Sequence, residues 1–330
     1  MKFAIFNVSE SEQRVLDEWT KKTGHEVKVV AGSLNAKSVE EVADCDGLTI
    51  KQTSKIADEL VYRKLHEFGI KSLNLRIVGT DIVDFDLAKK YDLLVTNVPA
   101  YSPRAIAEMA VTQALYLLRK IGEFQANMVN QHDFSYPDRL QSHEIYTQTV
   151  GLVGVGHIGA ATAQMFSALG AKVLAYDVVY NPANEPFLTY TDLDTVLRQS
   201  DIISLHTPLL PSTQKMIDEA AFKKMKNNAI LINCARGGLV DTPALIKALK
   251  TGEIAAAGLD ALAGEEKYFG KQVQASDVPS DFQELNAMPN VLLTPHAAFY
   301  TQTAIRNMVE ISLNDALAIR EGKRPQNLVH

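Results

Sequence analysis

Residues 150–177 read VGLVGVGHIGAATAQMFSALGAKVLAYD, and this stretch decides the fold. At its centre Gly154-Val155-Gly156-His157-Ile158-Gly159 spells G-x-G-x-x-G. Val150 to Val153 leads in like a buried parallel strand. Ala160, Ala161, Ala163, Met165, Phe166 and Leu169 suit a helix, and Gly170 breaks it. A second strand, Lys172 to Tyr176, ends at Asp177. This order of strand, turn, helix and strand is the fingerprint of a dinucleotide site. Gly154 permits the tight turn, Gly156 lets backbone approach a pyrophosphate, and Gly159 lets helix lie on strand. The helix N-terminus turns free N–H groups and a partial positive charge toward the phosphates. Asp177 stands 18 residues beyond Gly159. Its carboxylate can accept from ribose hydroxyls and would repel a 2′-phosphate, so the expected cofactor is NAD rather than NADP. The competing reading is an ordinary glycine-rich turn in an α/β domain, and the flanking elements argue against it.

A chain of 330 residues exceeds the usual single-core size, so two domains are expected. The composition, 46% hydrophobic and 22% charged, is that of a globular enzyme. A net charge of −6 argues against nucleic acid or an anionic membrane as partner. Cys45 and Cys234, far apart, make neither a disulfide framework nor a metal-ligand cluster, so no metal is expected. They fit a reducing, cytoplasmic location. MKFAIFNVSESEQ lacks the apolar core and cleavage site of a signal peptide. No apolar run approaches the ~18 residues of a membrane span.

The first hundred residues alternate between strand and helix. Strand-like runs are Phe3–Phe6, Val27–Val30, Gly47–Ile50, Leu73–Val78 and Leu93–Thr96. Helical stretches include Ser9–Lys22, Ala57–Phe68 and Phe85–Lys90. Such alternation implies a parallel sheet with helices on both faces. Ser102 and Pro103 then suit the cap and first turn of a long helix, Arg104–Lys120, with helical character running toward Asn130. Gln131–Gln148 reads as an irregular arm. After the dinucleotide unit, strands are expected at Asp201–His206, Ala229–Asn233, Ala255–Asp260 and Val291–Thr294. Gly264–Asn286 is a loop-rich insertion, and Thr301–Glu321 a final helix.

Three further segments follow expected parallel strands: Asn233-Cys234-Ala235-Arg236-Gly237-Gly238, Gly258-Leu259-Asp260 with Glu265 beyond, and Thr294-Pro295-His296-Ala297. Open α/β sheets bind ligands beyond the carboxyl ends of their strands, so these residues should converge. Reduction of a 2-keto acid needs a cation for the carboxylate, a proton donor for the carbonyl oxygen, and a carboxylate that orients the donor. Arg236, His296 and Glu265 suit those roles in turn. Singly each has a plainer reading: a structural arginine, a capped or core histidine, a solvated loop glutamate. Their joint placement after three strands favours chemistry.

NCARGGLVDTPAL, the GLD of 258–260 with Glu265, and LLTPHAAFYT resemble the signatures of the D-isomer-specific 2-hydroxyacid dehydrogenases. LRIVGTDIVDFDLA, NVPAYSPRAIAEMAV and DIISLHTPL also match family segments, and the similarity runs nearly the full length. Within the family the chain is most similar to the D-lactate and D-2-hydroxyisocaproate branches of lactic acid bacteria. The resemblance implies two doubly wound parallel-sheet α/β domains with the active site in the cleft between them. A flavodoxin-like substrate domain would comprise residues 1–100 and 299–330, and a Rossmann cofactor domain residues 101–298. It implies a catalytic trio of Arg236, Glu265 and His296, with His296 as general acid. NAD contacts are implied for Gly154, Gly156, His157, Ile158, Gly159, Asp177, Thr207, Pro208, Thr213, Cys234, Ala235 and Asp260, the last holding the nicotinamide carboxamide. Substrate contacts are implied for the N–H groups of Val78 and Gly79, and for Tyr101, Arg236, His296 and Phe299. Relatives are homodimers built around the cofactor domain.

The chain departs from the family pattern in three places. Ile77 stands where relatives carry asparagine, and Ala261-Leu262-Ala263 where they often read Val-Tyr-Glu. Lys51-Gln52 stands where lactate-specific relatives carry an aromatic. All three bear on substrate choice. Pyruvate and D-lactate are the default pair, and bulkier 2-keto acids the runner-up. Met308 is either part of an apolar wall or core. An NAD(H)-sensing corepressor is the reading of a different class, disfavoured by the complete trio and the lack of an added interaction tail.

Overall fold

The computed structural model describes residues 1–52 and 54–329. Along the chain run β1 (Lys2–Phe6), α1 (Glu10–Thr23), β2 (Glu26–Val30), β3 (Gly47–Ile50), α2 (Glu59–Glu67), β4 (Ser72–Leu75), α3 (Phe85–Lys90) and β5 (Leu94–Thr96). Two helices follow, α4 (Pro103–Leu118) and α5 (Ile121–Gln131). Then come β6 (Thr149–Val153), α6 (His157–Ala168), β7 (Lys172–Tyr176), β8 (Thr189–Tyr190), α7 (Leu193–Gln199) and β9 (Ile202–Leu205). The rest are α8 (Glu219–Phe222), β10 (Ile230–Asn233), α9 (Thr242–Thr251), β11 (Ala256–Leu259), α10 (Ser280–Asn286), β12 (Val291–Leu293) and α11 (Gln302–Arg320).

The chain divides into two units, residues 1–102 with 300–330, and residues 103–299. Tyr101 therefore falls in the first unit and Phe299 in the second. In the first unit five strands pair in the order β2-β1-β3-β4-β5, all parallel. This is the flavodoxin-like order. Val15, Leu16 and Trp19 bury one face of α1, and Trp19 Nε1 donates to Asn314 Oδ1 of α11 at 2.9 Å. Met308 is core. The last residues return to the sheet: Val329 N donates to Val95 O at 2.9 Å. Leu73–Val78 is strand only to Leu75, and Arg76 just beyond it donates to Thr49 Oγ1 and the Phe6 carbonyl.

In the second unit seven parallel strands run β12-β11-β10-β9-β6-β7-β8. The order reverses between β6 and β9, which is the Rossmann switch point. Central strands are buried on both faces and mostly apolar, such as Ile202–Leu205 and Ile230–Asn233, with Ser204 and Asn233 as buried polar residues. The helix expected to continue toward Asn130 is instead two helices. Lys120 adopts φ 50°, a left-handed residue that stops α4 and starts α5. Inside the 264–286 insertion, α10 and an aromatic cluster of Tyr268, Phe269 and Phe282 supply local structure.

Candidate active site

The dinucleotide turn is built by close backbone packing. Gly154 adopts φ 93°, and a Cβ there would lie 2.7 Å from the carbonyl carbon of His206. No side chain therefore fits between β6 and the end of β9. Helix α6 begins at Gly156 with no side-chain cap bond, which leaves its first N–H groups for a ligand. Gly156 and His157 are exposed, Ile158 is half-buried and Gly159 is buried. Asp177 ends β7 and reaches back to the turn. Its Oδ2 accepts from Val155 N at 2.5 Å and its Oδ1 from Val179 N at 2.8 Å. Each oxygen keeps a second lone pair for a ribose hydroxyl. Beyond β9, Thr213 Oγ1 donates to Pro208 O at 2.7 Å and accepts from Leu210 N at 2.8 Å, bracing the loop that begins Thr207-Pro208. The open helix start, the glycine cradle and the acceptor at Asp177 fit a dinucleotide.

Three loops at the carboxyl ends of β10, β11 and β12 interlock. Asn233 Oδ1 accepts from Ala235 N at 3.1 Å and its Nδ2 donates to Arg236 O at 3.0 Å, folding the chain sharply after β10. Gly237 then packs against the next loop, since a Cβ there would stand 2.1 Å from the Leu262 carbonyl carbon. Leu262 N donates to Glu265 Oε2 at 2.6 Å, and Glu265 Oε1 meets His296 Nδ1 at 2.5 Å. Glu265 and His296 thus form a directly bonded pair, with side chains 19% and 35% exposed. Arg236 is exposed, its Nη1 donating to Ala235 O at 2.8 Å. Among the described residues no carboxylate pairs with it, so its charge is available to an anion.

His296 sits in left-handed backbone, φ 54°, unusual for a residue with a side chain. Asp260 holds that turn. Its Oδ1 accepts from Thr294 Oγ1 at 2.5 Å and Ala297 N at 2.8 Å, and its Oδ2 from Ala298 N at 2.9 Å. Its carbonyl accepts from His296 N at 2.8 Å. Asp260, for which the family resemblance implies a cofactor contact, is also the scaffold of this turn. Oδ2 retains a lone pair for a carboxamide. Cys234 is buried, and burial pushes its thiol well above the usual range, so it stays a neutral donor. His206, unassigned from sequence, gives Nε2 to a bond with Ser204 Oγ at 2.9 Å, while its Nδ1 is buried with no partner among the described residues. Burial pushes its ring down to about 4, so it is neutral beneath the turn.

In the first unit, Val78 is exposed and Gly79 half-buried. Asn97 Nδ2 donates to Val78 O at 2.7 Å, while the Val78 and Gly79 N–H groups donate to no acceptor among the described residues. Asn307 Nδ2 fixes Tyr101 through its carbonyl at 2.5 Å. The missing asparagine at 77 is answered by an apolar contact, since Ile77 packs on the core. Lys51 Nζ pairs with buried Glu12 at 2.7 Å, and Arg76 Nε lies 3.4 Å from the same carboxylate. Burial opposes ionisation of Glu12, but the two cations outweigh it and hold the carboxyl below its usual range. Phe299, in the second unit, is half-buried just past the His296 turn.

Fold and dinucleotide turn together define a dinucleotide-dependent oxidoreductase. Residues 111–298 match the family model described as D-isomer specific 2-hydroxyacid dehydrogenase, NAD binding domain. A D-lactate/D-glycerate dehydrogenase of Pediococcus acidilactici is 43% identical over 333 residues, covering 100% of this chain and 99% of that protein. The structure of D-lactate dehydrogenase with NAD+ from Lactobacillus jensenii matches with a TM-score of 0.96 at 61% identity, covering 100% of both chains. The NAD-complexed D-isomer specific 2-hydroxyacid dehydrogenase of Lactobacillus delbrueckii ssp. bulgaricus matches at 0.94 and 57%, also over 100% of both. The chain belongs to the D-isomer specific 2-hydroxyacid dehydrogenase family, and its cofactor is NAD.

Proposed function

We propose that the protein is a D-lactate dehydrogenase that reduces pyruvate to D-lactate. The observation that carries the chemistry is the bonded Glu265–His296 pair, whose glutamate loop interlocks with the loop of Arg236, an arginine with no carboxylate partner among the described residues. Arg236 grips the substrate carboxylate, assisted by the free N–H groups of Val78 and Gly79. NADH, when held there, would supply the hydride. His296 Nε2–H donates its proton to the carbonyl oxygen of the substrate, becoming neutral, and Glu265 holds Nδ1–H throughout. Running backward, neutral His296 takes the hydroxyl proton. Tyr101 and Phe299 flank the substrate. The α6 start and Asp177 bind the pyrophosphate and ribose, and Thr207, Pro208, Thr213, Cys234, Ala235 and Asp260 complete the NAD contacts.

The test is NADH oxidation with a panel of 2-keto acids and chiral analysis of the product, for wild type and His296→Ala. Pyruvate should lead the panel and give the D-isomer. His296→Ala should lose ~10²–10⁴ in turnover. Near wild-type turnover in that variant, or an L-product, refutes the reading. A preference for bulkier keto acids is favoured by one observation: position 51 carries Lys51, tied to Glu12, in place of an aromatic wall. The protein acts as a homodimer in this reading. Val129, Phe134 and Tyr136, on α5 and the arm that follows, are 72%, 76% and 87% exposed and suit burial by a second copy. Two unpaired thiols support a reducing, cytoplasmic location.

A further inference from the structure

Gln113 lies on the buried face of α4, a stripe otherwise made of Ile106, Ala110, Ala114 and Leu117. It is wholly buried. A primary amide there is costly unless both its ends find partners. Its Nε2 donates to Thr294 Oγ1 at 3.0 Å, and its Oε1 accepts from the Cys234 thiol at 3.6 Å. Gly258 of β11 makes the room, since a Cβ there would stand 2.9 Å from Gln113 Oε1. One side chain of α4 therefore ties together the loops after β10 and β12.

The direction of these bonds is dictated by chemistry. The Thr294 hydroxyl has one proton and gives it to Asp260 Oδ1. It must then accept from Gln113, whose amide nitrogen is held toward Thr294 and whose oxygen is held toward Cys234. Asp260 in turn receives the N–H groups of Ala297 and Ala298, around the left-handed turn at His296. A continuous polar chain thus runs from the middle of α4 to the backbone that carries the general acid.

We infer that Gln113 is a positioning residue for keto-acid reduction: through Thr294 and Asp260 it holds the His296 turn in register with Glu265. The inference rests on His296 being the general acid. Besides Asp260, Gln113 is the only side chain bonded to Thr294 among the described residues, and a displacement of ~1 Å at the proton donor costs up to ~10²-fold in rate.

The test is Gln113→Met, close in shape but without the amide. Its kcat for pyruvate reduction should fall roughly tenfold, while the Kd for NADH and the KM for pyruvate stay within about twofold. Placed on Thr294→Val, the same substitution should add almost nothing, because both act through one bond. Gln113→Glu should be worse than Gln113→Met, since it sets an acceptor and a charge against the Thr294 oxygen. Wild-type kcat in folded Gln113→Met, or an equal further loss on the Thr294→Val background, overturns the inference. Loss of NADH affinity with kcat intact overturns it too, by showing a packing role. If Gln113→Met does not fold, Thr294→Ser and Thr294→Val decide. The serine keeps the hydroxyl and should keep kcat, the valine should lose it, and equal behaviour refutes the chain. His296→Ala separates the two claims. An active His296→Ala refutes the general acid itself, whereas a dead His296→Ala beside an unaffected Gln113→Met refutes only the role of Gln113.

Discussion

Replacing Glu265 by glutamine tests the acid–base pair directly. Glu265 accepts two bonds, from Leu262 N at 2.6 Å and from His296 Nδ1 at 2.5 Å. A glutamine has one oxygen to offer. If it serves Leu262, its NH₂ faces Nδ1 and opposes the proton that Nδ1 carries both before and after proton donation. If it serves Nδ1, the NH₂ meets the Leu262 N–H, donor against donor. Either way the imidazolium loses a charged acceptor. Hydrogen bonds to charged groups contribute about 1.5–3 kcal/mol. The side chains are 35% and 19% exposed, so solvent screening selects the lower end of that range. About 1.5 kcal/mol is roughly a tenfold loss in kcat/KM for pyruvate. The direction follows from charge: reduction draws its proton from a cationic ring, and that cation loses its anionic acceptor. Lactate oxidation, which starts from the neutral ring, should suffer less. The assay is kcat/KM for pyruvate and for D-lactate, wild type beside Glu265→Gln. An unchanged kcat/KM for pyruvate would refute the pairing as a catalytic feature.

Three other substitutions extend the reasoning. Arg236→Lys keeps the charge but loses the two-pronged grip, so KM for pyruvate should rise and kcat fall, each by about tenfold or more in steady-state assays. Asp177→Ala should narrow the NADH/NADPH ratio of kcat/KM, mostly by weakening NADH, and an unchanged ratio would show that Asp177 does not read the ribose. His206 is neutral when folded, with its ring at about 4 against an ordinary value of 6.5. Above that value both states are neutral and it costs nothing. As pH falls below it, the unfolded chain takes up a proton that the folded chain refuses, so stability is lost, by up to about 3 kcal/mol near pH 4. Urea unfolding of the apo protein across this window should show His206→Gln losing less stability with acid than wild type does.

Much of this was legible along the chain because its causes are local. The G-x-G-x-x-G turn, the apolar strands on either side, and Asp177 at the end of the second strand obey short-range rules of sterics and hydrogen bonding. So do the left-handed glycines and the alternation of strand and helix in both units. Arg236, Glu265 and His296 could be singled out because each follows a strand end, although each alone had a plainer reading. The break at Lys120 is not legible in the sequence, since a lysine carries no sign of left-handed backbone.

What only the tertiary structure decided is which loops touch. Gly237 is pressed on Leu262, and that contact joins the arginine loop to the glutamate loop. Asp260 looks from sequence like a ligand for the cofactor, yet its carboxylate is largely spent on the His296 turn. Gln113 is one of several polar residues in α4 by sequence, and its partners lie 121 and 181 residues away. Local patterns set where elements begin and end, because backbone sterics and periodic burial act over a few residues. The pairing of side chains on different strand ends depends on sheet order and packing, and no short-range rule carries that information.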